Sequence, residues 1–239
     1  MQVGSYIFGC MGPELSRNEI DFFSEAQPWG FITFSRNINN REQLYRLTSE
    51  LRKSVGREAP ILIDQDGGIL PVLKHIPGYG RAVVDGHETL PLVTEPYDTL
   101  SQTDFESFRQ LSYLPMAMTA HISYTDIDVI PATISKKMLT LIREDIGFKN
   151  LIMTDDISMG ALKGSLYELS RLSLEAGCDL VLHCNRRFLE MEEVVSACGY
   201  LSDESLLRSE AVLLQRQRSK FISIKELEEE LSICLGVRK

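Results

Sequence analysis

Three short apolar segments of this chain each run directly into charged side chains. The segments and the residues that follow them are 61–63 with Asp64, 69–73 with Lys74 and His75, and 151–153 with Asp155 and Asp156. Buried strands that end in polar loops are how a parallel α/β fold builds a site at the carboxyl ends of its strands. We therefore expect the three strand ends to form one shared site, where a carboxylate on a fixed backbone suits in-line attack.

The consecutive aspartates Asp155 and Asp156 have two interpretations. One could be a nucleophile, and either could instead cap the following helix. Successive side chains of a strand face opposite ways, so one aspartate can enter the site while the other caps. The residues alone leave both interpretations open.

A second pair of titratable residues, Asp85 and His87, follows the 69–73 segment in a loop. A protonated imidazole can donate a proton and later accept one, and a carboxylate beside it would support that role. The i, i+2 spacing allows such a contact but does not enforce it. The residues alone favour a solvated loop histidine beside a turn aspartate.

Apolar segments alternate with amphipathic ones along the chain, which predicts repeated βα units and a parallel sheet. Strands are predicted at 3–8, 30–34, 61–64, 70–74, 115–120, 151–154 and 178–183. Helices are predicted at 44–55, after a cap at Ser101 or Thr103, from Ser135 to Gly147, at 167–176 and in the tail from Ser202.

Both an open doubly wound sheet and a closed TIM-like (β/α)8 barrel fit this order. Polar residues follow almost every strand, which favours the barrel, because all its βα loops meet on one face. The alternation of strands and helices is interrupted once, where only Gln65 to Ile69 separate two predicted strands. A parallel crossover needs roughly a dozen or more residues, so these two strands cannot be joined as neighbours by an ordinary βα unit.

The composition argues against several classes of partner. The 239 residues carry a net charge of −9 with a pI near 5.0 and no basic stripe, which argues against nucleic acid. No signal peptide and no apolar segment long enough to span a membrane are recognised. Five cysteines without a CxxC pair fit free thiols in a reducing cytoplasm. His121 and His183 are expected to be structural rather than metal ligands, since no ligand spacing supports a metal site.

Four motifs lie along the chain in a fixed order. They are Asp64-Gln65-Asp66-Gly67-Gly68, Lys74-His75-Ile76-Pro77-Gly78-Tyr79-Gly80, Asp85-Gly86-His87 and Thr154-Asp155-Asp156-Ile157-Ser158-Met159. They resemble the DQEGG, KH-F/I-PGHG, D-S-H and S/T-D-D-L-S-M motifs of glycoside hydrolase family 3. The likeness is strongest to its single-domain bacterial β-N-acetylglucosaminidases of cell-wall recycling. Tyr79 stands where the family has a second histidine, and Gly86 where it has serine.

The resemblance implies a retaining exo-β-N-acetylglucosaminidase that releases terminal N-acetylglucosamine from muropeptide fragments. It implies a covalent glycosyl intermediate on Asp155, with His87 as the general acid/base and Asp85 as its support. It implies no metal or organic cofactor, a small carbohydrate or muropeptide substrate, and a cytoplasmic monomer or weak homodimer.

The resemblance also implies sugar-binding roles for Asp64, Lys74 and His75. Asp64 could equally pair with Lys74 across the barrel mouth, since a charge removed from water needs a partner. Gly67 and Gly68 are expected to form a tight turn near the ligand. Arg36 could reach the site or make a structural ion pair.

The chain departs from the family between its first two motifs. Family members carry a further helix, strand and helix there, with a GERSF-like stretch whose arginine helps to hold the sugar. Here Gly68 is followed directly by Ile69. We therefore expect one barrel domain over 1–239 that lacks about one strand and its flanking helices. If the deletion is real, the alternative function is a degenerate, non-catalytic barrel that binds sugar or is inactive.

Overall fold

The protein is described by a computed structural model over residues 2–64, 71–216, 229 and 232–234. The strands are Gly4–Gly9 (β1), Pro28–Thr33 (β2), Ile61–Ile63 (β3), Val72–Ile76 (β4), Leu92–Val93 (β5), Met116–Thr119 (β6), Ser123–Tyr124 (β7), Leu151–Asp156 (β8) and Leu180–His183 (β9). The α-helices are Arg17–Ala26 (α1), Arg41–Val55 (α2), Tyr97–Gln102 (α3), Asp104–Gln110 (α4), Lys136–Glu144 (α5), Leu166–Ala176 (α6), Phe188–Cys198 (α7) and Asp203–Leu214 (α8).

Seven strands form one parallel sheet in the order β3-β2-β1-β9-β8-β6-β4. The predicted α/β barrel class is confirmed, in the form of an incomplete barrel. The consecutive strands β3 and β4 stand at the two edges of this sheet, so they are not neighbours, as their short connection predicted. One further strand between them would complete an eight-stranded barrel. The expected gap at Gly68–Ile69 and the turn at Gly67 lie outside the described residues.

The main elements agree with the sequence-based expectations, with some additions. All seven predicted strands form, whereas α1, α7 and a small parallel sheet of β5 and β7 were not predicted. Ser135 caps α5 as predicted, accepting a hydrogen bond from the Met138 amide. Of the two predicted caps Ser101 and Thr103, Thr103 stands at the N-cap position of α4, but its hydroxyl donates to the Thr99 carbonyl and makes no capping hydrogen bond. Apart from 229 and 232–234, the end of the predicted tail helices after 216 lies outside the described residues.

The core has an inner and an outer part, divided by the sheet. Side chains that point inward form one cluster, which includes Ile7, Met118, Met153 and Leu182. Side chains on the outer face pack against the helices in two further clusters. Beyond Met153 the pairing of β8 with β9 shifts register, and Asp155 lies in this irregular stretch, where its carboxylate is 3.4 Å from His75.

Helix α8 covers the amino-terminal end of the barrel. Its Val212 belongs to the inner cluster, and its Ser209 hydroxyl accepts a hydrogen bond from the Trp29 indole at 2.5 Å. No helix among the described residues combines the length and apolarity that crossing a bilayer requires.

A buried carboxylate, Asp179, ties α8 to the strands that carry the site. It accepts hydrogen bonds from Arg143 at 2.8 Å, Arg208 at 2.7 Å, Ser205 at 2.8 Å and the Ile152 amide at 2.8 Å. Two guanidinium groups and two neutral donors satisfy both carboxylate oxygens, which is what a charge at 1% exposure requires. This network fixes the start of β8 and therefore the direction of its far end.

Candidate active site

Asp155 lies at the carboxyl end of β8, between β6 and β9 in the sheet. Its Oδ2 is 3.4 Å from His75 Nε2, and its Oδ1 accepts the Asp156 amide at 2.8 Å. Burial lowers the pKa of His75, although the Asp155 carboxylate acts in the opposite direction. A neutral imidazole can orient the carboxylate through an N–H while leaving its negative charge in place.

Asp156 has a different role from its neighbour. Its Oδ1 accepts from the Ser158 hydroxyl at 2.7 Å, the Ser158 amide at 3.2 Å and the Cys184 amide at 3.2 Å. It thereby joins the turn after β8 to the end of β9. The expectation that one aspartate faces the site fits this arrangement, but Asp156 caps a turn rather than a helix, since Ser165 caps α6.

Two buried histidines support the strand ends. His121 Nε2 donates to the Asp156 carbonyl at 3.0 Å, so Nδ1 accepts from the Thr133 hydroxyl at 2.7 Å. Burial lowers the pKa of His121. His183 Nε2 donates to Glu190 at 3.1 Å. Both histidines therefore have structural partners, as the sequence indicated.

The loop pair Asp85 and His87 is in direct contact. Asp85 Oδ1 accepts from His87 Nδ1 at 2.8 Å and from the His87 backbone amide at 2.9 Å. The hydrogen bond to Asp85 raises the pKa of His87, and the charges of Asp155 and Asp156 act in the same direction. The His87 backbone amide, followed by its imidazole, lowers the pKa of Asp85. The pair is thus set to hold a proton on a largely exposed imidazole.

This loop lies against the turn that follows Asp156. The Gly160 amide donates to the His87 carbonyl at 3.0 Å, and a Cβ at Gly160 would come within 2.8 Å of that oxygen. The missing side chain at Gly160 is what permits this approach. The backbone of the Asp85–His87 loop is therefore attached to the turn that follows Asp155 and Asp156.

Lys74 and Asp64 connect the two edge strands at the mouth. Lys74 Nζ lies 3.4 Å from Asp64 Oδ1, with side chains 38% and 53% exposed. The structure therefore contains the ion pair that was one of the two expectations for Asp64. Both groups remain partly open to solvent and to a ligand.

An irregularity in β4 turns two consecutive side chains toward the mouth. Leu73 and Ile76 both pack on the outer face, although residues three positions apart face opposite ways in a regular strand, and the pairing with β6 shifts between Lys74 and Ile76. An extra residue in a strand breaks the alternation of side chains. Lys74 and His75 can therefore contact Asp64 and Asp155 respectively.

Arg36 makes no ion pair among the described residues, but it contacts Cys184, whose amide donates to Asp156. Its guanidinium donates to the Cys184 carbonyl at 3.1 Å and lies over the Phe34 ring at 4.3 Å. Sequence reasoning did not identify Thr133 as the partner of the structural His121, or Gly160 as the partner of His87. No local signal marks either one, because each partner comes from a distant part of the chain.

The predicted site residues form three contacting pairs: Asp155 with His75, Asp85 with His87, and Asp64 with Lys74. A carboxylate at the end of a strand, a proton donor on the adjoining loop and polar groups at the rim can together attack, protonate and hold a polar substrate. No group of three metal-ligating side chains occurs among the described residues.

Comparison with known proteins defines the family. The glycosyl hydrolase family 3 N-terminal domain matches residues 49–212, well over half of the chain. The chain belongs to this family. It is similar to a Methylobacillus flagellatus beta-hexosaminidase, with 32% identity over 227 residues that cover 89% of this chain and 62% of the relative. A Neisseria gonorrhoeae beta-hexosaminidase is 40% identical over 152 residues, 62% of this chain and 40% of the relative. The chain thus spans less than two thirds of the length of these relatives.

Solved family 3 structures share the fold. NagZ from Neisseria gonorrhoeae in complex with N-trifluoroacetyl-D-glucosamine has a TM-score of 0.77 at 23% identity, covering 89% of this chain and 90% of that one. A β-N-acetylglucosaminidase from Paenibacillus has a TM-score of 0.80 at 19% identity, covering 92% and 63%. The incomplete barrel therefore follows the fold of these proteins.

Proposed function

We propose that this family 3 chain is a retaining exo-β-N-acetylglucosaminidase that acts on muropeptide fragments in the cytoplasm. The observation that supports the proposal is the contact of Asp155 with His75 at the end of β8, together with the hydrogen bond that attaches the Asp85–His87 loop to the turn after β8. The names of the curated relatives support the hexosaminidase class. The muropeptide substrate rests on the motif resemblance, and the location rests on that resemblance and on the pattern of the five cysteines.

The proposed reaction has two steps. An Asp155 carboxylate oxygen attacks the anomeric carbon, and the bond to the leaving oxygen breaks as that oxygen takes the His87 proton. The neutral imidazole then removes a proton from water, which attacks the same carbon and releases Asp155. Two inversions at one carbon give net retention. Asp85 stabilises the protonated imidazole between the steps.

The sugar-binding part of the proposal involves Asp64 and Lys74. Their charges can form hydrogen bonds with sugar hydroxyl groups in exchange for the bond they make with each other. His75 would contact the same ring while it orients Asp155. A small carbohydrate and a monomeric or weakly dimeric enzyme complete the proposal, with no cofactor required by the chemistry.

The test is release of p-nitrophenol from its N-acetyl-β-glucosaminide by the wild type and by Asp155→Ala, alongside the intact mass of the purified protein. Turnover that disappears in Asp155→Ala supports the proposal. A wild type that folds, has the expected mass of 27.0 kDa and shows no turnover would refute it.

A second candidate is a non-catalytic barrel that binds sugar or is inactive. It is favoured by the position of β3 and β4 at opposite edges of the sheet. Among the described residues, no strand fills the place between them that an eighth strand has in a complete barrel. Binding of N-acetylglucosamine by the folded protein, without turnover, would support this candidate over the enzyme.

A further inference from the structure

Two of the residues that depart from the family motifs, Tyr79 and Gly86, meet in space. A Cβ built on Gly86 would overlap the Tyr79 hydroxyl oxygen, and the ring carbon that bears it would lie at 3.3 Å. Gly86 is buried although the residues on both sides of it are exposed. The phenol thus fills the space that a side chain at 86 would need.

The Tyr79 ring is anchored at its base. It packs on the outer core cluster and lies beside the His75 ring, with centroids 5.6 Å apart. Its carbonyl accepts the Ala82 amide at 3.0 Å, which fixes the turn that leads into the loop. The hydroxyl is therefore delivered to Gly86 from a supported position.

The backbone of Gly86 faces the hydroxyl. Burial raises the pKa of Tyr79, and the Gly86 backbone amide acts in the opposite direction, as expected when an N–H donates to the phenol oxygen. Gly86 lies between Asp85 and His87 in the chain. A contact at this residue therefore restrains both members of the pair.

We propose that Tyr79 is a positioning residue that holds the Asp85–His87 pair in place through its contact with Gly86, and that only glycine at position 86 leaves room for it. The role rests on the proposed function of His87 as the acid/base. The Gly160 amide on the His87 carbonyl forms the second attachment of the same loop. Tyr79 thus links the loop that carries Asp85 and His87, here called the dyad loop, to His75 and through His75 to Asp155.

The proposal makes Tyr79→Phe and Gly86→Ser two ways to remove one contact. The first deletes the hydroxyl, and the second puts a Cβ where the hydroxyl lies and forces the phenol away. Their effects should therefore not add. In Tyr79→His/Gly86→Ser a shorter ring faces the larger residue, so this double variant should be less impaired than Gly86→Ser alone.

The test measures amide hydrogen exchange of the His87, Glu88, Thr89 and Gly160 backbone groups, together with the pH profile of kcat/KM. All four amides are hydrogen-bonded within or onto the loop. We expect exchange to rise about three- to tenfold in Tyr79→Phe and in Gly86→Ser, the range of one net hydrogen bond. In the combined Tyr79→Phe/Gly86→Ser variant it should rise no further. Tyr113→Phe, at an exposed surface tyrosine, is the matched control and should change nothing.

We expect kcat/KM to fall by about three- to tenfold in the same two variants. The alkaline limb of the kcat/KM profile should also move to lower pH. A loosened loop weakens the Asp85–His87 contact, and this contact raises the pKa of His87. Unchanged loop exchange in Tyr79→Phe, or additive effects of the two single variants, would overturn the proposal. Hydrogen exchange needs no turnover, so a protein that proves inactive refutes the enzyme function while the contact is still tested.

Discussion

The two sides of the barrel mouth differ in how firmly they are built. Asp155 extends from β8, which has a strand on each side and whose first four residues are buried. Lys74 and Asp64 extend from β4 and β3, the edge strands, where most side chains are only half buried. The strand that would carry the nucleophile is therefore paired on both sides, whereas each strand that would hold the sugar is paired on one side only and meets the other through an exposed ion pair.

The charged groups show the same difference. Asp179, beneath β8, is fully enclosed by two arginines and two further donors. The Lys74–Asp64 pair is 38% and 53% exposed, so water and salt screen it. Substitutions should therefore have large effects on the β8 side and modest effects at the edge.

The largest expected effect is on turnover by Asp155→Asn. Loss of the nucleophile should lower kcat by about 10⁴-fold or more. Asp156→Asn is the matched control, since an amide oxygen can still accept the bonds from Ser158 and Cys184. It should cost about 10- to 100-fold at most. Equal losses in the two variants would contradict the division of roles between these aspartates.

The next effect concerns stability. Asp179→Ala leaves Arg143 and Arg208 without their shared carboxylate, so the free energy of unfolding should fall by about 3–5 kcal/mol. Asp64→Ala at the exposed edge should change it by about 0–1 kcal/mol. Urea unfolding followed by circular dichroism measures both. A loss at Asp64 that matches the loss at Asp179 would remove the contrast between the two sides.

A smaller effect is expected from Asp85→Asn, through the pH dependence. Asp85 raises the pKa of His87, so the native imidazole keeps its proton to higher pH. Without the carboxylate that pKa falls, and the alkaline limb of kcat/KM should move to lower pH with a loss of about 10- to 100-fold at neutral pH. Glu88→Gln, at the exposed residue next to His87, should leave the profile in place. An unmoved limb in Asp85→Asn would show that His87 titrates independently of this contact.

The smallest effect is expected from Lys74→Ala. It should raise KM by about three- to tenfold with kcat changed less, because the lost contacts hold the sugar equally before and during reaction. Lys149→Ala, at an exposed lysine before the opposite end of β8, is the control. A large fall in kcat without a change in KM would place Lys74 with the reacting groups.

The positions of the main-sheet strands and of most helices along the chain followed from the sequence, because apolar periodicity reports burial directly. The short connection between β3 and β4 correctly excluded them as neighbours. Helix α1 was not predicted, although Ser16 and Glu19 form a capping box at its start. That signal is local and could have identified the helix.

Which residues carry charge at the strand ends was also determined by the sequence, since strand periodicity and motif order depend only on the chain itself. The tertiary structure decided which of them meet. The irregularity of β4 brings both Lys74 and His75 to the mouth, and the missing side chains of Gly86 and Gly160 let the dyad loop approach its neighbours. The contacts of His75 with Asp155 and of Gly160 with His87 join residues far apart in the chain, and their distances depend on packing that no local pattern encodes.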